Sequence, residues 1–223
     1  MKFKSEITLK AKRIDTGDEK NIRLIIGGRA SFCDIVEPTE YLGKQFFSAT
    51  ILLPKDDIPK ETANVLNTAV QDAIAVGVKT RWNNQKPDDL QLPLRSGAKK
   101  FKDNQDTYDA YEHCVYLVAK KHSPTVGPVV MANGKRVYDV DTVASGDWCA
   151  FDVSLYPYKK GGNKGIAVGL NGVTLIKNGE RFSGAPTEDS VSQGSADLYG
   201  EEMDDANYAP AQSSSDNFLD DIE

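Results

Sequence analysis

The stretch that decides the fold is Asp147–Lys177, DWCAFDVSLYPYKKGGNKGIAVGLNGVTLIK. Two runs rich in β-branched and aromatic residues, 147–158 and 165–177, flank a basic, glycine-rich connection, KKGGNKG. Such runs read as two strands joined by a turn. Within the first, Tyr156 and Tyr158 fall two residues apart and share one face, and Lys159, Lys160 and Lys164 follow at once.

Working outward, strand character appears at Cys114–Ala119 and at Val129-Val130-Met131. Asn133-Gly134, between VVMA and KRVYDV, is a strong hairpin signal. Nearer the start, Ile22–Val36 is a strand pattern broken by Gly27-Gly28, which predicts a bulge, a bend or a close backbone approach. Lys44–Leu53 is a further strand that stops at Pro54. The period then changes: Val65, Leu66, Ala69, Val70, Ala73 and Ile74 form a helical stripe, predicting one amphipathic helix over about residues 58–79. Asp57 is its expected N-cap, with Pro59 in the first turn. A long polar region, residues 80–112, separates the helix from the next strand, and loops of that length are functional or disordered. Five or six strands with one inserted helix and extra hairpins point to a mainly β, five-stranded Greek-key barrel of the OB-fold type.

Charge divides the chain. The whole sequence carries 27 basic and 33 acidic side chains, but eleven of the acids and none of the Lys or Arg lie at or after Thr187. The remainder keeps 27 basic and 22 acidic residues, a net of +5. We expect a folded body, residues 1–186, that binds a polyanion, and a disordered acidic tail, residues 187–223, too poor in apolar residues to offset its ordering entropy. No signal peptide or membrane span is legible. Cys33, Cys114 and Cys149 are expected as buried, reduced thiols, and two histidines with no CxxC leave no zinc set. No phosphate loop, nucleophile elbow or HExxH occurs, so neither catalysis nor a cofactor is expected. Asp139 and Asp141 read as solvated strand-end carboxylates.

What the residues do suggest is single-strand binding, in which aromatic faces stack on bases and cations neutralise the backbone. The candidate residues are Tyr156, Tyr158, Lys159, Lys160 and Lys164; Lys99, Lys100, Phe101 and Lys102 in the polar region; Arg81 and Trp82; and Arg29 beside the paired glycines.

The run Ser145–Gly184, SGDWCAFDVSLYPYKKGGNKGIAVGLNGVTLIKNGERFSG, resembles the phage-encoded single-stranded DNA-binding proteins of a widespread OB-fold family. The resemblance implies an OB barrel, binding of single strands without sequence preference, and no catalysis. It places Tyr156, Tyr158, Lys159 and Lys160 at the aromatic-lysine strand end. The acidic end with one aromatic, SDNFLDDIE, is similar to the tails of such proteins and implicates Phe218, Leu219, Asp220 and Asp221 in autoinhibition and in recruiting replication or recombination partners. The implied setting is the cytoplasm of an infected host cell. A virion assembly protein with a β-barrel body and a flexible acidic arm is the rival reading, RNA or duplex is an alternative ligand, and the oligomeric state is open.

Overall fold

The structure, a computed structural model, describes residues 4–99, 110–123 and 125–182. These fall within one compact unit, Met1–Ser183. Among the described residues nine strands join one sheet. They are β1 (Ala11–Ile14), β2 (Ile22–Tyr41), β3 (Lys44–Pro54), β4 (Arg95–Ser96), β5 (Cys114–Lys121), β6 (Val129–Ala132), β7 (Lys135–Arg136), β8 (Trp148–Lys160) and β9 (Asn163–Lys177).

Five of these strands close on themselves. β3 pairs antiparallel with β2 and with β5, β2 with β8, and β8 with β9. A short parallel pairing of β5 with β9, Ala119 to Val168 and Lys120 to Gly169, completes the ring. Closure removes the open edges that a flat sheet would leave. This is the five-stranded OB-type barrel that the strand spacing predicted. β1 adds to β2, β4 to β5, and the β6–β7 hairpin to β9.

The alternating pattern of β2 and β8 sends Ile22, Leu24, Ile26, Phe151, Val153 and Leu155 into the barrel, all almost fully buried. Gly28 lies where β2 passes from β8 to β3. A Cβ there would stand 2.6 Å from the Ile51 side chain, so the paired glycines mark a close approach. β2 runs five residues beyond the expected end at Val36. Pro38 does not stop it because the ladder to β3 is irregular between Asp34 and Thr39, where proline's missing N–H costs no bond. The Asn133-Gly134 turn forms as expected, both residues at positive φ, between Ala132 and Lys135.

The helix, α1 (Lys60–Thr80), packs Leu66, Ala69, Val70, Ala73 and Ile74 against β8 and β1. Its expected N-cap is corrected. Pro59 occupies the cap with no side-chain bond, because Ile58 and Pro59 are both extended and hold Asp57 away from the first turn. The Asp57 carboxylate accepts from the Ser5 amide at 2.5 Å instead. Cys114 and Cys149 are buried and Cys33 partly so, all three free thiols; burial pushes the Cys114 thiol up to about 12.

Candidate nucleic-acid interface

The end of β8 carries the two tyrosines outward because Leu155 and Pro157 turn inward. Tyr156 is 40% exposed, and burial of the rest of the side chain raises its hydroxyl above the ordinary value. The Tyr158 hydroxyl donates to Gln91 Oε1 at 2.7 Å. Gln91 is itself tied to β9: its amide donates to the Lys164 carbonyl at 2.9 Å, and its carbonyl accepts from the Ile166 amide at 3.0 Å. Gly165 permits this. A Cβ there would lie 2.6 Å from the Gln91 carbonyl oxygen and 2.8 Å from the Tyr158 ring.

Pro93 and Arg95 follow Gln91 and run beside the start of β5. Between them, the outer faces of β5 and β9, and the tyrosines lies a groove of about 430 Å³. Its cations are Arg95 and Lys120, with His122 beside them; Val118, Ala167 and Val168 supply apolar lining. Phe46 extends it along β3: Lys120 Nζ sits 4.2 Å from the Phe46 ring centre, and the His122 ring 6.0 Å away. Aromatic faces and cations on one concave surface can stack bases and neutralise phosphates together.

Asp152, on the same outer face of β8, does not oppose this charge. Burial alone would raise its pKa, but hydrogen bonds from Arg23 and Asn171 outweigh burial and lower it. Arg23 grips it with two bonds, of 2.8 and 2.5 Å.

Of the residues singled out in the sequence, the groove gathers Tyr156 and Tyr158. Lys159, Lys160 and Lys164 stand at the β8–β9 turn beyond it. Alternation puts Lys160 on the tyrosine face, while Lys159 and Lys164 are cross-strand partners on the other. Arg81 is exposed on a separate cleft that also touches Tyr156. Lys99 ends a short 3-10 turn, Gly97–Lys99. Lys100, Phe101 and Lys102, and Phe218, Leu219, Asp220 and Asp221 of the tail, lie outside the described residues.

Two expectations are corrected. Trp82 is 4% exposed, packed against Gly77 and Pro157, so no base reaches its face. Its Nε1 donates to the Tyr158 carbonyl at 3.2 Å, which makes it a support for the tyrosine strand. Arg29 is 3% exposed. Its Nε donates to the Gly146 carbonyl at 2.7 Å, an Nη donates to the Glu180 carbonyl, and the guanidinium lies 4.2 Å from the Phe182 ring centre. It fastens the chain leaving β9 to β2 and offers nothing to phosphate.

Sequence reasoning missed Gln91, Arg95, Lys120 and Phe46. Lys120 and His122 were findable, since they continue the alternation of Val118 along β5. Gln91 and Arg95 carried no local signal, because their place is set by pairing with β9 and β5.

Comparison with known proteins agrees with this architecture. Residues 22–206 match the model of a family described as Enterobacter phage Enc34, ssDNA-binding protein. The fold is similar to that of the single-stranded DNA-binding protein from bacteriophage Enc34 in complex with ssDNA, at TM-score 0.60 and 16% identity over 80% of this chain and 100% of that one. The same phage protein in a second structure gives 0.59 and 14%, over 82% and 99%. Gp2.5, a single-stranded DNA-binding protein encoded by bacteriophage T7, gives 0.51 and 18%, over 86% and 100%. No curated protein sequence matches the chain.

Proposed function

The chain belongs to the family of the Enterobacter phage Enc34 ssDNA-binding protein, and on that premise we propose that it binds single-stranded DNA without regard to sequence, in phage replication or recombination in the cytoplasm of the infected host cell. The observation that carries this reading is the groove itself. Tyr156 and Tyr158 stand on one strand face, opposite Arg95 and Lys120 on another. Each stacked base is worth roughly 1–3 kcal/mol, and each neutralised phosphate releases counterions.

The test is a salt titration of labelled oligo-dT, with competition by matched RNA and duplex. Affinity should fall steeply with salt, by a slope of about −0.7 per phosphate contacted. Affinity that does not change with salt would sink the electrostatic half of the proposal; equal competition by duplex would sink the preference for single strands.

The acidic tail fits the same reading as a competitor for the cationic groove, its carboxylates standing in for phosphates and Phe218 for a base. When DNA displaces it, Phe218, Leu219, Asp220 and Asp221 become available to replication or recombination partners. Deleting residues 187–223 should tighten DNA binding. Unchanged or weaker binding would remove the tail from the mechanism.

A further inference from the structure

The cationic surface continues past Tyr156. A cleft that Tyr156 also lines, of about 390 Å³, is bounded by Lys20, Val76, Thr80, Arg81 and Pro157 as well. Lys20, Val76 and Thr80 line a further cleft as well, of about 440 Å³, which Lys79 joins. The groove and the first cleft share Tyr156, and the two clefts share Lys20, Val76 and Thr80, so the three depressions adjoin in a series. The series runs from the groove, over Tyr156, and along the C-terminal turns of α1.

The charge along this second arm is suited to phosphate. Lys20, Lys79 and Arg81 are exposed, and among the described residues none of the three is held in an ion pair. Arg13 and Asp72 cancel each other in a salt bridge, leaving Glu19 as the opposing carboxylate. A helix C-terminus ordinarily repels anions through its free carbonyls. Here two of those carbonyls, Gly77 and Val78, are occupied. Thr80 Oγ1 donates to the Val76 carbonyl at 2.7 Å. The Arg81 and Trp82 amides donate to that of Gly77 at 2.8 and 3.0 Å, and the Asn84 amide to that of Val78 at 2.9 Å. The turn that seals the helix end also places Arg81 beside Tyr156.

Resting on the reading of the groove as a DNA interface, we infer that a single strand leaving the groove bends over Tyr156 and continues along the end of α1. Arg81 and Lys20, then Lys79, meet its phosphates. Tyr156 is then the pivot between two arms of one site, and the protein covers more nucleotides than the groove alone can hold.

The experiment compares the wild-type chain with a Lys20→Ala/Lys79→Ala variant on two labelled oligo-dT lengths, about 6 and about 16 nucleotides, within the range that one OB fold covers. The short strand should bind both proteins alike. On the long strand the variant should bind several-fold more weakly, with a salt slope shallower by about 1.4 for two lost phosphate contacts. Glu19→Gln should tighten the long strand alone. Equal losses on both lengths, or no loss on either, would overturn the second arm. Lys120→Ala separates the two readings: if it weakens both lengths while the double variant weakens neither, the groove stands and the second arm falls. If the wild-type chain binds neither strand, the groove reading itself has failed.

Discussion

Two of the regions that combine cations with aromatic rings differ in their access to a ligand, one closed and the other open. At the exit of β9, the buried Arg29 lies against Trp148 and Phe182, its Nε and one Nη donating to the carbonyls of Gly146 and Glu180. At the end of β8, Tyr156 and Tyr158 face Arg95 and Lys120 across open space. The residue types are nearly the same, but solvent access differs. A guanidinium taken out of water must be satisfied by protein acceptors, and once satisfied it has no donors left for phosphate. A cation on a concave, wet surface keeps its donors and its charge for whatever arrives.

That contrast breaks most readily at Arg29. Arg29→Ala leaves the buried Gly146 carbonyl short of a donor, removes the part-buried bond to Glu180 and opens a gap beside two rings, so thermal or denaturant unfolding should show a loss of roughly 3 kcal/mol. The protein that remains folded should bind oligo-dT as before. Weaker binding by the folded fraction would show that the two regions are coupled. Tyr156→Ala should do the reverse, costing about 2 kcal/mol of DNA affinity with little change in unfolding midpoint. Lys120→Ala is a smaller step: the salt slope should fall by about 0.7, one phosphate contact.

The smallest expected effect concerns Asp152, the paired acid beside the groove. Its pKa is lowered in the folded state, so its contribution to stability is complete above the ordinary carboxylate range, near 3.9. That contribution is lost as pH falls through the lowered value. Asp152→Asn should flatten the acid limb of the stability profile. An unchanged limb would mean that the Arg23 pairing adds nothing to the fold.

Much of the fold was legible in the sequence because its signals are local. The Asn133-Gly134 turn needs two positive φ angles, the stripe from Leu66 to Ile74 repeats at helical spacing, and Pro54 ends β3 where the pattern stops. The site was legible only in part. Tyr156 and Tyr158 could be placed on one face by alternation alone. Arg29 and Trp82 were misjudged because a cation beside a glycine bend and a tryptophan beside an arginine look the same in sequence whether buried or exposed. The expected cap at Asp57 failed for a related reason: a cap depends on the backbone of the two residues after it, and both were extended.

By itself the sequence determined the barrel strands, the helix, the division of charge at Thr187, and the tyrosine-lysine strand end, all of which depend on neighbours a few residues apart. Only the tertiary structure decided which cations reach solvent, and it alone brought Gln91 to Tyr158 and Arg95 to β5. These are pairings across tens of residues, set by how the closed barrel brings distant strand ends together, and no local pattern encodes that.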